Sequence, residues 1–169
     1  MKQALLSIAL LIVSFTQLSA SSKRDGGADT LGIVRIDTID NKILLKGISK
    51  TDGLGGLLIR LDSSGRYEEL IVACTGPSVT DDGVWTVKRG QLTLRGHKEN
   101  STLQVFRYFD YYFFIPPAAY GAFVSNLLEI KGQLRKMKPF TVATKIYSVE
   151  WAIGHVLSKK YFSIDLTRD

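Results

Sequence analysis

Short apolar runs rich in β-branched and aromatic residues recur along this chain, set apart by Gly, Asp, Asn and Ser at intervals of roughly ten residues. That rhythm suits antiparallel strands joined by tight turns rather than alternating strand–helix units. It predicts strands near 31–38, 42–48, 55–61, 66–74, 83–88, 91–96, 102–109 and 111–115, with further ones near 140–151 and 160–166. Three connections carry clear turn chemistry and are each expected to close a hairpin. In Asp62-Ser63-Ser64-Gly65 the aspartate can hydrogen-bond the turn backbone, and the glycine supplies the positive φ that closes the hairpin. Lys88-Arg89-Gly90-Gln91 does similar work, Asp40-Asn41-Lys42 breaks the first strand pair, and Thr75 to Gly83 reads as a longer loop.

One segment changes period. After Pro116-Pro117, residues Tyr120, Phe123, Val124, Leu127, Leu128 and Lys131 follow a three–four spacing, and Gly132 is a suitable stop. The expected fold is therefore mainly β with one amphipathic helix (α+β), an antiparallel meander closed into a barrel or half-barrel. Phe106 to Ile115 is apolar or aromatic at nearly every position, so a strand pair here presents such side chains to both faces of its sheet. Trp85 and Trp151 are expected core anchors. Cys74, the only cysteine, ends the run Leu70 to Cys74, where a buried and inert thiol is expected.

The first residues add a different signal. Lys2 precedes the apolar run Ala4 to Val13, and Ser19-Ala20-Ser21-Ser22 offers small residues for signal peptidase. The domain plan is then a signal peptide and cleavage region at 1–22, a polar leader at 23–30 and one β-rich domain at 31–169. Export to a periplasmic or extracellular compartment is the expected destination. One cysteine allows no intramolecular disulfide, so packing must hold the domain together.

Charge is uneven: residues 23–85 carry 8 basic and 10 acidic side chains, whereas residues 86–169 carry 13 and 6. The basic half suits anionic lipids, glycans or wall polymers as partners, with membrane contact peripheral at most after signal cleavage. Nucleic acid is not expected, because the densest basic run is only Arg135-Lys136-Met137-Lys138.

Motifs for chemistry are sparse. His97 and His155 have no cysteine or carboxylate at zinc-ligand spacing, and Asp81-Asp82 matches no calcium loop. Gly53-Leu54-Gly55-Gly56 lacks the following helix and lysine of a phosphate loop, and no Gly-x-Ser-x-Gly elbow occurs. Catalytic residues, metal ligands and cofactors are accordingly none on this reading. The candidate ligand-binding residues are Tyr108, Tyr111 and Tyr112, whose rings can stack and whose hydroxyls can orient an apolar or glycan ligand.

The order Leu61-Asp62-Ser63-Ser64-Gly65-Arg66-Tyr67, then Gly83-Val84-Trp85-Thr86-Val87, then Gln91-Leu92-Thr93-Leu94 resembles bacterial exported lipocalin-like β-barrel domains. The resemblance spans about a quarter of the mature chain and implies a meander-type barrel; it carries over no functional residue. The functional expectation is a binding or structural module for a small apolar or glycan ligand or an envelope protein. The alternatives are a peripheral membrane-surface protein or, less favoured, an envelope hydrolase. Cleavage after Ser21 or Ser22, with Ala20 the poorer site, should give an exported form beginning between Ser21 and Lys23, read by intact mass; full-length chain in the membrane fraction would contradict it.

Overall fold

The computed structural model describes residues 31–51, 55–142 and 145–167, so the expected signal peptide (1–22) and leader (23–30) lie outside the described residues. The elements are β1 (Ile33–Arg35), α1 (Asn41–Leu44), β2 (Ile48–Thr51), β3 (Gly56–Leu61), β4 (Arg66–Ala73), β5 (Gly76–Lys88), β6 (Gln91–Gly96), β7 (Asn100–Tyr108) and β8 (Tyr111–Ile115). A 3₁₀ turn (Pro117–Ala119), α2 (Tyr120–Leu134), β9 (Phe140–Val142), β10 (Lys145–Tyr147), α3 (Val149–Ser158) and β11 (Phe162–Asp165) follow. The order β7-β6-β5-β4-β3-β2-β11-β8, with β8 pairing back to β7, closes an eight-stranded antiparallel barrel. The mainly β, barrel-forming expectation holds.

Turn chemistry sets the registers. Asp62 Oδ1 accepts from Ser64 N at 2.9 Å, Ser64 Oγ at 2.6 Å and Arg66 N at 2.9 Å, while Gly65 sits at φ 85°. That turn fixes the Leu61–Tyr67 register between β3 and β4. The 88–91 turn is tighter than expected: Arg89 (φ 51°) and Gly90 (φ 68°) both have positive φ, the two-residue form that matches strand twist. Gly90 also lies so close to the Ile36 carbonyl oxygen that no side chain would fit.

Every barrel strand turns apolar side chains inward. Ile48, Ile59, Leu61, Tyr67, Trp85, Leu92, Leu94, Leu103, Val105, Phe114 and Ile164 form one core, joined by Ile39 and Leu44 from the segment that crosses the barrel. An eight-stranded barrel is just wide enough for side chains to fill, and these fill it. The opposite face of β7 and β8 makes a second core. Phe106, Tyr108, Tyr111, Phe113 and Ile115 pack there against Phe123, Leu127 and Ile130 of α2 and Ile153 and Leu157 of α3. Asn126 ties α2 to the end of α3, donating to Tyr161 Oη at 2.7 Å and accepting from Lys160 Nζ at 3.0 Å.

Several expectations are corrected. The strand read at 42–48 begins as α1, because Asp40 Oδ1 accepts from Lys42 N and caps a helical turn. The 75–83 loop is strand: β4 and β5 run on as a hairpin whose tip is Cys74-Thr75. Ile71, Val72 and Val79 are exposed on this extension, and so is Cys74, which is not buried as expected. The strand read at 140–151 divides into the β9–β10 hairpin and α3, where Ser148 Oγ caps the helix by accepting from Trp151 N. α2 continues through Gly132, and its buried stripe is Phe123, Leu127 and Ile130, leaving Leu128 exposed.

Trp85 lies inside the barrel at 9% exposure and its Nε1 donates to the Asp62 carbonyl at 3.0 Å, linking core to turn. Trp85→Ala should lower stability by about 3–5 kcal/mol in denaturant melts. A loss below about 1 kcal/mol would be incompatible with this packing.

Candidate functional site

The three candidate tyrosines divide between two faces, because strand neighbours alternate. Tyr108 and Tyr111, paired across β7 and β8, are both 1% exposed on the helix-covered face. Tyr112 packs on the opposite face, against the barrel core. They do not converge on one cavity. Tyr108 borders a cavity of about 390 Å³ with Gly32, Phe109, Lys131 and Glu150. Burial and then the charge of Glu150 push its phenol above the ordinary range.

Tyr111 belongs to a groove of about 360 Å³ on the outer barrel wall. Lys46, Ser49 and Thr51 come from β2 and the residues before it, Ser163 and Asp165 from β11, and His155 and Ser158 from α3. The groove lies over the seam where β11 meets β2, a pairing with a single register contact, Ser163 with Ser49. Its depth depends on Gly154: a Cβ there would collide with the Tyr111 ring, so the missing side chain lets α3 sit directly on the ring. His155 stacks on Trp151, with centroids 5.0 Å apart and planes within 7°.

These groups suit hydrogen bonding to a ligand better than nucleophilic chemistry. Ser158 Oγ donates to the His155 carbonyl at 2.8 Å within its own helix. Asp165 Oδ1 accepts from Thr167 N at 2.9 Å and from Thr167 Oγ1 at 2.7 Å, so this carboxylate orders its own turn. A nucleophile held by a base needs the hydroxyl aimed at that base. Among the described residues no group of three or more His, Cys, Asp or Glu is placed to hold a metal ion.

Of the groove residues, the sequence points to Tyr111 as a ligand contact and to His155 only as a residue without zinc-ligand spacing. The missed signal is the period-two polar pairs Ser49/Thr51 in β2 and Ser163/Asp165 in β11, each a hydrophilic stripe along one face of its strand.

A second polar cluster has a structural role. Asp81, expected in a loop, is buried in β5. Its Oδ1 accepts from His97 N at 3.1 Å and Lys98 N at 3.2 Å, and Tyr67 Oη donates to its Oδ2 at 3.2 Å. Burial pushes the Asp81 carboxyl up, but the Lys98 and Asp82 N–H groups and the Tyr67 hydroxyl outweigh it and leave the group below its ordinary value. Tyr67 is pushed up to about 12, by burial first and then by the charge of Asp81. Gly96 completes the cluster, since a Cβ there would strike both Asp81 and Tyr67.

Comparison with known proteins gives no match: no family model, no curated protein and no solved structure matches the chain.

The sign of the Asp81 shift sets a pH dependence. A lowered native value stabilises the fold above the unfolded-state value of 3.8, and that contribution fades as pH falls through the native value. Asp81→Asn should therefore be less stable than wild type at neutral pH, with the gap narrowing below pH 3.8 in denaturant melts taken across a pH series. A gap that does not change with pH would refute this account.

Proposed function

We propose that the protein is an exported binding module of lipocalin-like build that takes a small polyhydroxylated ligand, of the glycan class, in the groove over the β2–β11 seam. The observation that carries this reading is the convergence of Lys46, Ser49, Thr51, His155, Ser158 and Ser163 from three separate chain segments around one cavity. Hydroxyl, imidazole and ammonium groups side by side match the alternating donors and acceptors of a sugar edge. Tyr111, at the base of the groove, is the member of the original aromatic set that joins it. The filled barrel interior supports an outer-wall site over a ligand cup inside the barrel. The basic n-region, apolar run and small-residue site in 1–22 support export.

The test is a thermal-shift screen of mono- and oligosaccharides, repeated with Thr51→Trp, which fills the groove from an exposed position, and with His155→Ala. A saccharide at about 100 times its Kd should stabilise the wild type by about 2.7 kcal/mol. Both variants should lose most of that shift, and Thr51→Trp should keep its ligand-free melting behaviour. Equal shifts in wild type and Thr51→Trp, or no shift with any saccharide, would reject the site.

A further inference from the structure

The stretch that leads out of α2 and through the β9–β10 hairpin has an unusual composition. From Ile130 to Val149 the chain carries Lys131, Arg135, Lys136, Lys138 and Lys145 and neither Asp nor Glu. Arg135, Lys136, Lys138 and Lys145 are all exposed. Two large apolar side chains stand among them: Met137 is 44% exposed and Ile146 is 73% exposed.

The hairpin's pairing explains why Ile146 faces outward. Phe140 and Tyr147 are cross-strand partners, and both rings contact Trp151 of α3, at 6.0 and 3.9 Å between centroids. Alternation then sends the next pair, Thr141 and Ile146, to the other side of the hairpin, where both are exposed. Lys145 shares the face of Tyr147 and extends over its ring, its Nζ 5.6 Å from the centroid, while remaining exposed. The hairpin is thus anchored by aromatic contacts on one side and presents an isoleucine on the other.

We infer that this basic, apolar-tipped surface docks on an anionic phospholipid bilayer. Charge complementarity supplies attraction at a distance: each Lys or Arg held near an anionic leaflet strengthens binding by a factor of about five. Nucleic acid or another soluble polyanion matches the cations but offers Ile146 and Met137 no apolar phase. The boundary between headgroups and acyl chains accommodates both, and the lysine stems can lie along it with their charges in water. Among the described residues no helix is long and apolar enough to cross a membrane, and this docking needs none. The surface works by contact at the interface, independently of the groove over the barrel seam.

The experiment is vesicle co-sedimentation of the full chain, comparing phosphatidylcholine vesicles with vesicles containing phosphatidylglycerol. The apolar N-terminal run is common to all arms, so differences between lipids and between variants isolate this surface. Wild type should partition onto the anionic vesicles and less so as salt is raised. Lys136→Glu with Lys138→Glu should weaken that partitioning at least about twentyfold. Ile146→Ser should weaken it about tenfold while leaving any binding to heparin unchanged. Circular dichroism and melting should be unaltered, because all three positions are exposed. Equal binding to neutral vesicles, indifference to the charge reversals, or heparin binding with no effect of Ile146→Ser on vesicles would each overturn the inference.

Discussion

The β7–β8 pair is apolar on both faces, and a sheet of that kind needs cover on both. One face is satisfied by curling the sheet, so that Val105 and Phe114 share the barrel core with Ile48, Ile59 and Leu92. The other face cannot be satisfied by the sheet at all. Phe106, Tyr108, Tyr111, Phe113 and Ile115 would stand in water, each large side chain forgoing about 1.5–3 kcal/mol, unless helices lie over them. This requirement places α2 immediately after β8, where Pro116 and Pro117 turn the chain back onto the strand it has just left. It also brings α3 to the same wall. Phe123 illustrates the closure: its ring meets Phe106, Phe113 and Tyr161, drawn from three separate stretches of chain.

Covering that wall leaves a weak place beside it. β11 pairs with β8 over four registered residue pairs but with β2 over one. The barrel therefore closes through a short ladder, with Ser49 and Ser163 opposite each other. Ser49 is half-buried and Ser163 buried at that point, and the edge of α3 turns the strip of sheet beside them into a groove.

What could be read from the sequence follows how local the determining interaction is. Asp62 and Gly65 act within five residues, so their turn was legible, as was the meander it belongs to. The two-faced character of Phe106 to Ile115 was also legible from alternation. Which tyrosine joins which face depends on register with the turn at 109–110, and what covers each face depends on α3, which the apolar and aromatic content of 140–151 disguised as strand. Cys74 was misplaced for a related reason. Its run has the apolar content of a buried strand, but the β4–β5 hairpin carries Cys74 to its tip, where the residue is exposed. The groove was illegible because its polar pairs, Ser49/Thr51 and Ser163/Asp165, stand more than a hundred positions apart and meet only when β11 closes against β2.

A filled eight-stranded barrel has little room for function inside it. With Tyr67, Trp85 and Phe114 occupying the interior, a ligand would have to displace side chains packed at crystal-like density, at a cost comparable to the stability of the domain. The proposed site accordingly lies where secondary elements meet over the wall rather than within it. α3 is the element that makes this possible. Gly154 lets it descend onto Tyr111, which fixes the height of His155 and Ser158 above β2 and β11. One turn earlier, Trp151 receives Phe140 and Tyr147 and so holds the β9–β10 hairpin in place. A helix packed this closely at one position orients side chains on both sides of that contact, so the absence of one methyl group determines the geometry of the groove and the seating of the hairpin together.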